Sequence, residues 1–164
     1  MITHYSKILH ESSLGWAMSG NVHWLWPLFA TLHLVGMVLV AAWIGAIDLR
    51  LLGVAKGLPV KALQTLAPAG WLGLGITLLT GVAFYAGTPE QYQNVAFGAK
   101  MTCLILAGAN GLLFYATGMA RTLSTLPAGE DAPLTMKLSA AASLCFWIGV
   151  IFWGRMIPLF TSGF

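Results

Sequence analysis

Long apolar runs separated by short polar, Gly- and Pro-bearing breaks set the pattern of this chain. The first run follows His23-Trp24-Leu25-Trp26-Pro27 and ends at Asp48-Leu49-Arg50-Leu51-Leu52-Gly53. Roughly 20 apolar residues at ~1.5 Å each match a ~30 Å hydrocarbon core, so the run predicts a transmembrane helix over 26–52. Three further runs predict spans over 66–87, 95–122 and 134–158. The breaks carry the usual helix stops: Gly53, Gly57 and Pro59, then Gly87 and Pro89, then Pro127, Gly129 and Pro133. Spans joined by short connections pack as antiparallel neighbours. The pattern therefore predicts an all-α fold, a four-helix transmembrane bundle, as a single integral membrane domain over 1–164.

Residues 1–22 read differently. Ile2, Tyr5, Ile8 and Leu9 are interleaved with His4, Lys7, His10 and Glu11, as in a short amphipathic helix lying in the membrane interface. Trp16, Trp24 and Trp26 suit the aromatic belt, and Pro27 suits a first helical turn, where no amide donor is needed. Ionisable residues early on, and an apolar run that starts late and is too long for a signal sequence, predict that the first span is retained.

Composition agrees with lipid as the main solvent. The chain has 164 residues, of which 58% are hydrophobic and 8% charged. Mean hydropathy is +0.80. So few charges cannot clothe a water-facing surface. The excess of 8 basic over 5 acidic residues forms no basic cluster, which argues against nucleic acid as a partner. It reads better as a topology signal. Arg50, Lys56, Lys61, Arg121 and Lys137 flank the loops after the first and third spans, with Lys7 on the other side. The positive-inside rule then puts those loops in the cytoplasm and both termini outside. Cys103 and Cys145 fall within apolar runs and suggest neither a disulfide framework nor a zinc motif.

One ionisable residue, His33, lies deep in the first span, ~9 Å past Pro27 at helical rise. Intramembrane ionisable groups are costly, which makes His33 a functional candidate in need of a partner. The antiparallel arrangement brings Lys100 and Arg155 to the same depth, each ~9 Å from the outer end of its helix. No intramembrane carboxylate accompanies this layer, so an anionic group should join it. A haem b meets that demand: imidazole for the iron, an apolar slot for the ring, Lys or Arg for the propionates. Gly36, one turn from His33, would let a flat ring approach the backbone. Thr77, Gly81 and Tyr85 form a strip on the second span, and Gly149 and Gly154 thin the fourth near Arg155. The plainer readings are a histidine that bonds a neighbouring helix, cations that snorkel to headgroups, and glycines that serve helix packing. Asp48 and Arg50 read as structural ion-pair partners for loop charges.

The segments Thr31-Leu32-His33-Leu34-Val35-Gly36, Asp48 to Gly53, Phe97-Gly98-Ala99-Lys100 and Trp147 to Arg155 resemble those of a family of uncharacterised bacterial four-helix membrane proteins. That family is similar to copper-resistance D-type membrane domains and to HemJ-type protoporphyrinogen oxidases. The resemblance implies a bacterial inner-membrane location, haem b on His33, and a required lysine at Lys100. A bound haem b points to oxidoreductase or electron-transport chemistry with a quinol, porphyrin or protein redox partner.

The second axial ligand is open at this stage, because the spans after the first hold no further histidine. His10 and His23 are the candidates, with His33, for binding the metal. A continuous helix would hold His23 ~15 Å from His33, but Pro27 lets the preceding chain turn, and the His10 segment can fold over the bundle mouth. Met37, Met101 and Met156 are the sulfur candidates; Met101 and Met156 adjoin Lys100 and Arg155 in sequence, near the right depth but on different faces. A single-ligand haem, a ligand from a second protomer of a homo-oligomer, and a second haem held by His4, His10, His23 and His33 near the surface are further arrangements. Two other functions stand beside haem binding. One is copper handling by His33, Met37, Met101, Cys103 and Met156, since soft sulfur suits Cu(I). The other is a structural subunit of a larger membrane complex.

Overall fold

The computed structural model describes residues 4–161, and no strand occurs among them. Ile2, assigned above to the amphipathic segment, lies outside the described residues. The chain opens with α1 (His4–His10) and α2 (Ser13–Trp16), followed by a wide turn over Ala17–Asn21. Then come α3 (Leu25–Leu51), α4 (Val60–Gln64), α5 (Ala67–Gly87), a tight turn over Pro89–Tyr92, α6 (Val95–Ala116), α7 (Met119–Thr125) and α8 (Leu134–Thr161). The stretches Leu25–Leu51, Val60–Gly87, Val95–Ala116 and Leu134–Thr161 are long and apolar enough to cross a membrane. Leu34, Leu79, Ile105, Leu112 and Ile148 are exposed along them, as lipid-facing side chains are. The chain is an all-helical, multi-pass membrane protein in architecture.

The third span is shorter than its apolar run. α6 stops at Ala116 rather than near residue 122, because Gly118 adopts φ 78°, a left-handed conformation that favours glycine. The amides of Thr117 and Gly118 close the helix end on the Leu113 and Tyr115 carbonyls, at 2.9 and 3.2 Å. α7 then turns away. The fourth span continues past Pro158 to Thr161. Thr161 Oγ1 donates to the Gln91 carbonyl at 3.1 Å, anchoring this end to the turn before α6.

α3 packs along α5, α6 packs along α8, and α3 also meets α8. No comparable packing joins α5 to α6 among the described residues, where the stacked rings of Tyr85 and Phe97 bridge the two helices near one end. The α3–α5 contact is close because Gly36 and Gly73 face each other. A Cβ on Gly36 would stand 2.5 Å from Thr77 Oγ1 and 2.8 Å from the Gly73 carbonyl oxygen. Lipid tails are as apolar as side chains, so such backbone approach is a main source of helix association in a bilayer.

The two ends of the bundle differ. At the end that bears His4 and Thr161, α1 and α2 lie across the end of α5. At the loop end a small core of Leu51, Val60, Leu123, Ala132, Met136 and Ala140 joins α3, α4, α7 and α8. Arg50 locks this end. It is fully buried, and its guanidinium donates to the carbonyls of Leu58 (3.1 Å), Glu130 (3.0 Å) and Pro127 (2.7 Å). Arg50 is thus structural, but it holds loop backbone and not a loop carboxylate. The exposed Asp131 pairs with Lys56 (2.9 Å) and Lys137 (3.0 Å), and hydrogen bonds from these two ammonium groups hold its carboxyl below the usual carboxylate range.

Candidate functional site

Near the terminal end, α3, α5, α6 and α8 surround a cavity of about 360 Å³. His33 and Met37 reach it from α3, Thr77, Gly81 and Tyr85 from α5, Lys100 and Met101 from α6, and Trp147 from α8. The strip of Thr77, Gly81 and Tyr85 read from the sequence does line this space.

His33 is fixed by α5. Its Nδ1 lies 2.7 Å from Thr80 Oγ1. The hydroxyl has a single proton, and Oγ1 lies 2.7 Å from the Ile76 carbonyl oxygen one turn back. Its proton therefore points along the helix, and its lone pair accepts from Nδ1–H. In the neutral imidazole this pairing puts the proton on Nδ1 and leaves Nε2 free, the form in which imidazole binds a metal. The Phe84 ring stands edge-on to the imidazole, centroids 5.6 Å apart, and Trp26 packs on Phe84 at 4.8 Å. Gly81 keeps the other flank open: a Cβ there would come no nearer than 3.8 Å to His33 Cε1.

Lys100 is positioned by the start of α6. Asn94 caps that helix, its Oδ1 accepting from the Phe97 amide at 2.9 Å. Its Nδ2 donates to the Ile157 carbonyl and to Thr161 Oγ1, both at 3.2 Å, which ties the cap to α8. Lys100 follows about six residues later, ~9 Å along the axis. It is half-buried, and its stem runs along Gly154 of α8, where a Cβ would stand 3.6 Å from Lys100 Cε. Lys100 makes no ion pair among the described residues.

The remaining residues singled out above fall elsewhere. Arg155 shares the depth but not the cavity. Gly154 takes the position facing Lys100, so the next residue points ~100° away, and Arg155 is exposed. Gly36 is occupied by its contact with Thr77 and Gly73 and offers no surface to a ring. His23 is exposed ahead of α3. The His10 segment does cover the terminal end, but Leu9 lines the cavity, while His10 Nδ1 lies 2.9 Å from the Ala86 carbonyl oxygen. Met101 corrects the sequence reading in the other direction: it lines the same cavity as His33. Cys103 packs at Gly149 and Met156 lies away from the cavity. Among the described residues no three His, Cys, Asp or Glu side chains converge as a metal site.

Two structural features are not legible in the sequence pattern. Thr80 was not singled out as the partner of His33, although a hydroxyl on the second span at matching depth was the available signal. The second is a larger cavity of about 730 Å³ toward the loop end, which includes Asp48 and shares Leu74, Leu104 and Trp147 with the first. No family model, curated protein or solved structure matches this chain.

Proposed function

We propose that this chain is a haem b membrane protein that moves electrons between a quinol or porphyrin-like donor and an acceptor. The observation that carries this reading is the His33–Thr80 hydrogen bond, which orients through Nδ1 an imidazole lining an apolar cavity. The residues present fit the group. His33 would ligate the iron, Lys100 would pair with a propionate, and Met101, on the helix across the cavity, is the candidate second ligand. Tyr85, Phe97 and Trp147 supply flat aromatic walls. Bound haem would supply one-electron redox chemistry, while the protein sets ligand, charge and water exclusion around it. The resemblance of the Thr31–Gly36 segment and the three others to uncharacterised four-helix membrane proteins, a family similar in turn to HemJ-type proteins, leads to the same assignment.

A visible spectrum of the protein purified from haem-replete cells tests it. A Soret band with a sharp reduced α band is expected, lost or strongly weakened in His33→Ala. Full haem occupancy and an unshifted spectrum in that variant would reject the reading. Copper handling has one observation in its favour, since Met37 and Met101 share the cavity with His33. Copper bound without a Soret band would select it.

We also propose placement in a bacterial inner membrane with both termini outside. The support is the gathering of Lys56, Lys61, Arg121 and Lys137 at the loop end. A cysteine introduced at position 56 should resist impermeant thiol reagents added to intact spheroplasts and react once they are lysed. Labelling of intact spheroplasts would reverse the orientation.

A further inference from the structure

Asp48 sits in the last turns of α3 with 5% of its surface exposed, and it lines the larger cavity. Its Oδ2 is buried and has no hydrogen-bond partner among the described residues. Ser143 of α8 supplies a hydroxyl beside the carboxyl. The nearest arginine in sequence, Arg50, is taken up by three loop carbonyls. No Lys, Arg or His lines this cavity. A carboxyl removed from water with one oxygen unmet and no counterion either holds a proton or takes a donor or a cation, and a cationic guest favours its charged form.

The rest of the cavity narrows the choice. Asn110 and Ser139 satisfy each other: Asn110 Nδ2 donates to the Ser139 carbonyl and Ser139 Oγ to Asn110 Oδ1, both at 3.0 Å. Gln64 also lines the cavity but is exposed to the surroundings, which leaves Asp48 as the buried polar group with an unmet oxygen among the described residues. Trp43, Trp71 and Trp147 contribute to the walls, with the Trp43 and Trp71 centroids 5.4 Å apart. Indole faces attract cations. Trp71, Leu112 and Tyr115 line the cavity and are also exposed, on the α5/α6 side where the helices do not pack. A guest can thus enter from the bilayer.

We propose that this cavity binds a lipophilic protonated amine: one N–H-bearing ammonium group on an apolar or aromatic body. The ammonium donates to Asp48 Oδ2, and the body lies among the tryptophans. A quaternary ammonium would satisfy the charge but not the hydrogen bond, and a neutral quinol would satisfy the hydrogen bond but not the charge. This proposal is independent of haem at His33.

The test is calorimetric titration of the full-length protein in nanodiscs at neutral pH, with 4-phenylbutylamine and its neutral analogue 4-phenylbutan-1-ol. Empty nanodiscs correct for partitioning. Saturable amine binding is expected, with the alcohol bound at least ~10-fold more weakly. Asp48→Asn should remove most of that preference, while His33→Ala should leave it intact. Equal binding of amine and alcohol, or no saturable binding of the amine, overturns the proposal on the wild-type protein alone, whatever the folding of the variants. An undiminished amine preference in a monodisperse Asp48→Asn protein overturns it as well. Persistence of the preference without haem in any preparation supports the amine site while rejecting the haem reading.

Discussion

His33 Nδ1 and Thr80 Oγ1 are 2.7 Å apart, across the α3–α5 contact. The threonine is buried and its own proton is committed to the Ile76 carbonyl. The histidine therefore keeps one tautomer and one orientation at membrane depth. Thr80→Val keeps the shape of the side chain but removes the acceptor. If His33 ligates haem, this variant should lose about 10- to 100-fold in haem affinity, the usual scale for a lost partner behind a metal-binding histidine. Haem titration into apo-protein measures it. An unchanged affinity would show that α5 does not orient the ligand.

Lys100 and Arg155 separate two ideas that looked alike in the sequence. Lys100 lines the His33 cavity, and Arg155 is exposed beside it. Lys100→Met should weaken haem retention and lower the midpoint potential, because a nearby positive charge favours the reduced centre. Arg155→Met should change neither. A redox titration of both variants against wild type checks this, and a downward shift confined to Arg155→Met would contradict the geometry.

Arg50 donates to three carbonyls in two different loops. Arg50→Met should destabilise the loop end by at least ~3 kcal/mol, since buried carbonyls lose charged donors. Arg50→Lys should rescue little, because an ammonium cannot reproduce the planar fork. Thermal unfolding in detergent reads the effect, and limited proteolysis between residues 53 and 59 should accelerate in parallel. A lysine variant as stable as wild type would argue against the fork.

Gly36 and Gly45 lie on the same helix and make opposite predictions. A methyl on Gly36 would press on Thr77 Oγ1 and the Gly73 carbonyl, whereas one on Gly45 meets nothing within 4 Å. Gly36→Ala should cost ~1–3 kcal/mol by forcing α3 from α5, and it should disturb the His33–Thr80 bond as well. Gly45→Ala should be neutral or slightly stabilising. Paired thermal melts decide it, and equal behaviour of the two variants would deny the close crossing.

The sequence by itself determined the span number, the rough span limits and the polar residue at depth. Those follow from one-dimensional physics: a bilayer demands about twenty apolar residues per crossing and makes each intramembrane charge conspicuous. Depth along a helix is also one-dimensional, and His33 and Lys100, read as one layer, do line one cavity. Azimuth is not. The close contact of Gly36 with Gly73 and of Gly154 with Lys100 set how each helix is rotated, and rotation decided that Met101 faces the cavity, Arg155 faces away and Gly36 is buried in packing. The sequence reading treated Asp48 and Arg50 as one kind of residue, near each other and near the loops. Two residues along a helix turn ~200°, so one side chain meets loop carbonyls and the other an apolar cavity. That difference arises only when α4, α7 and α8 close around them.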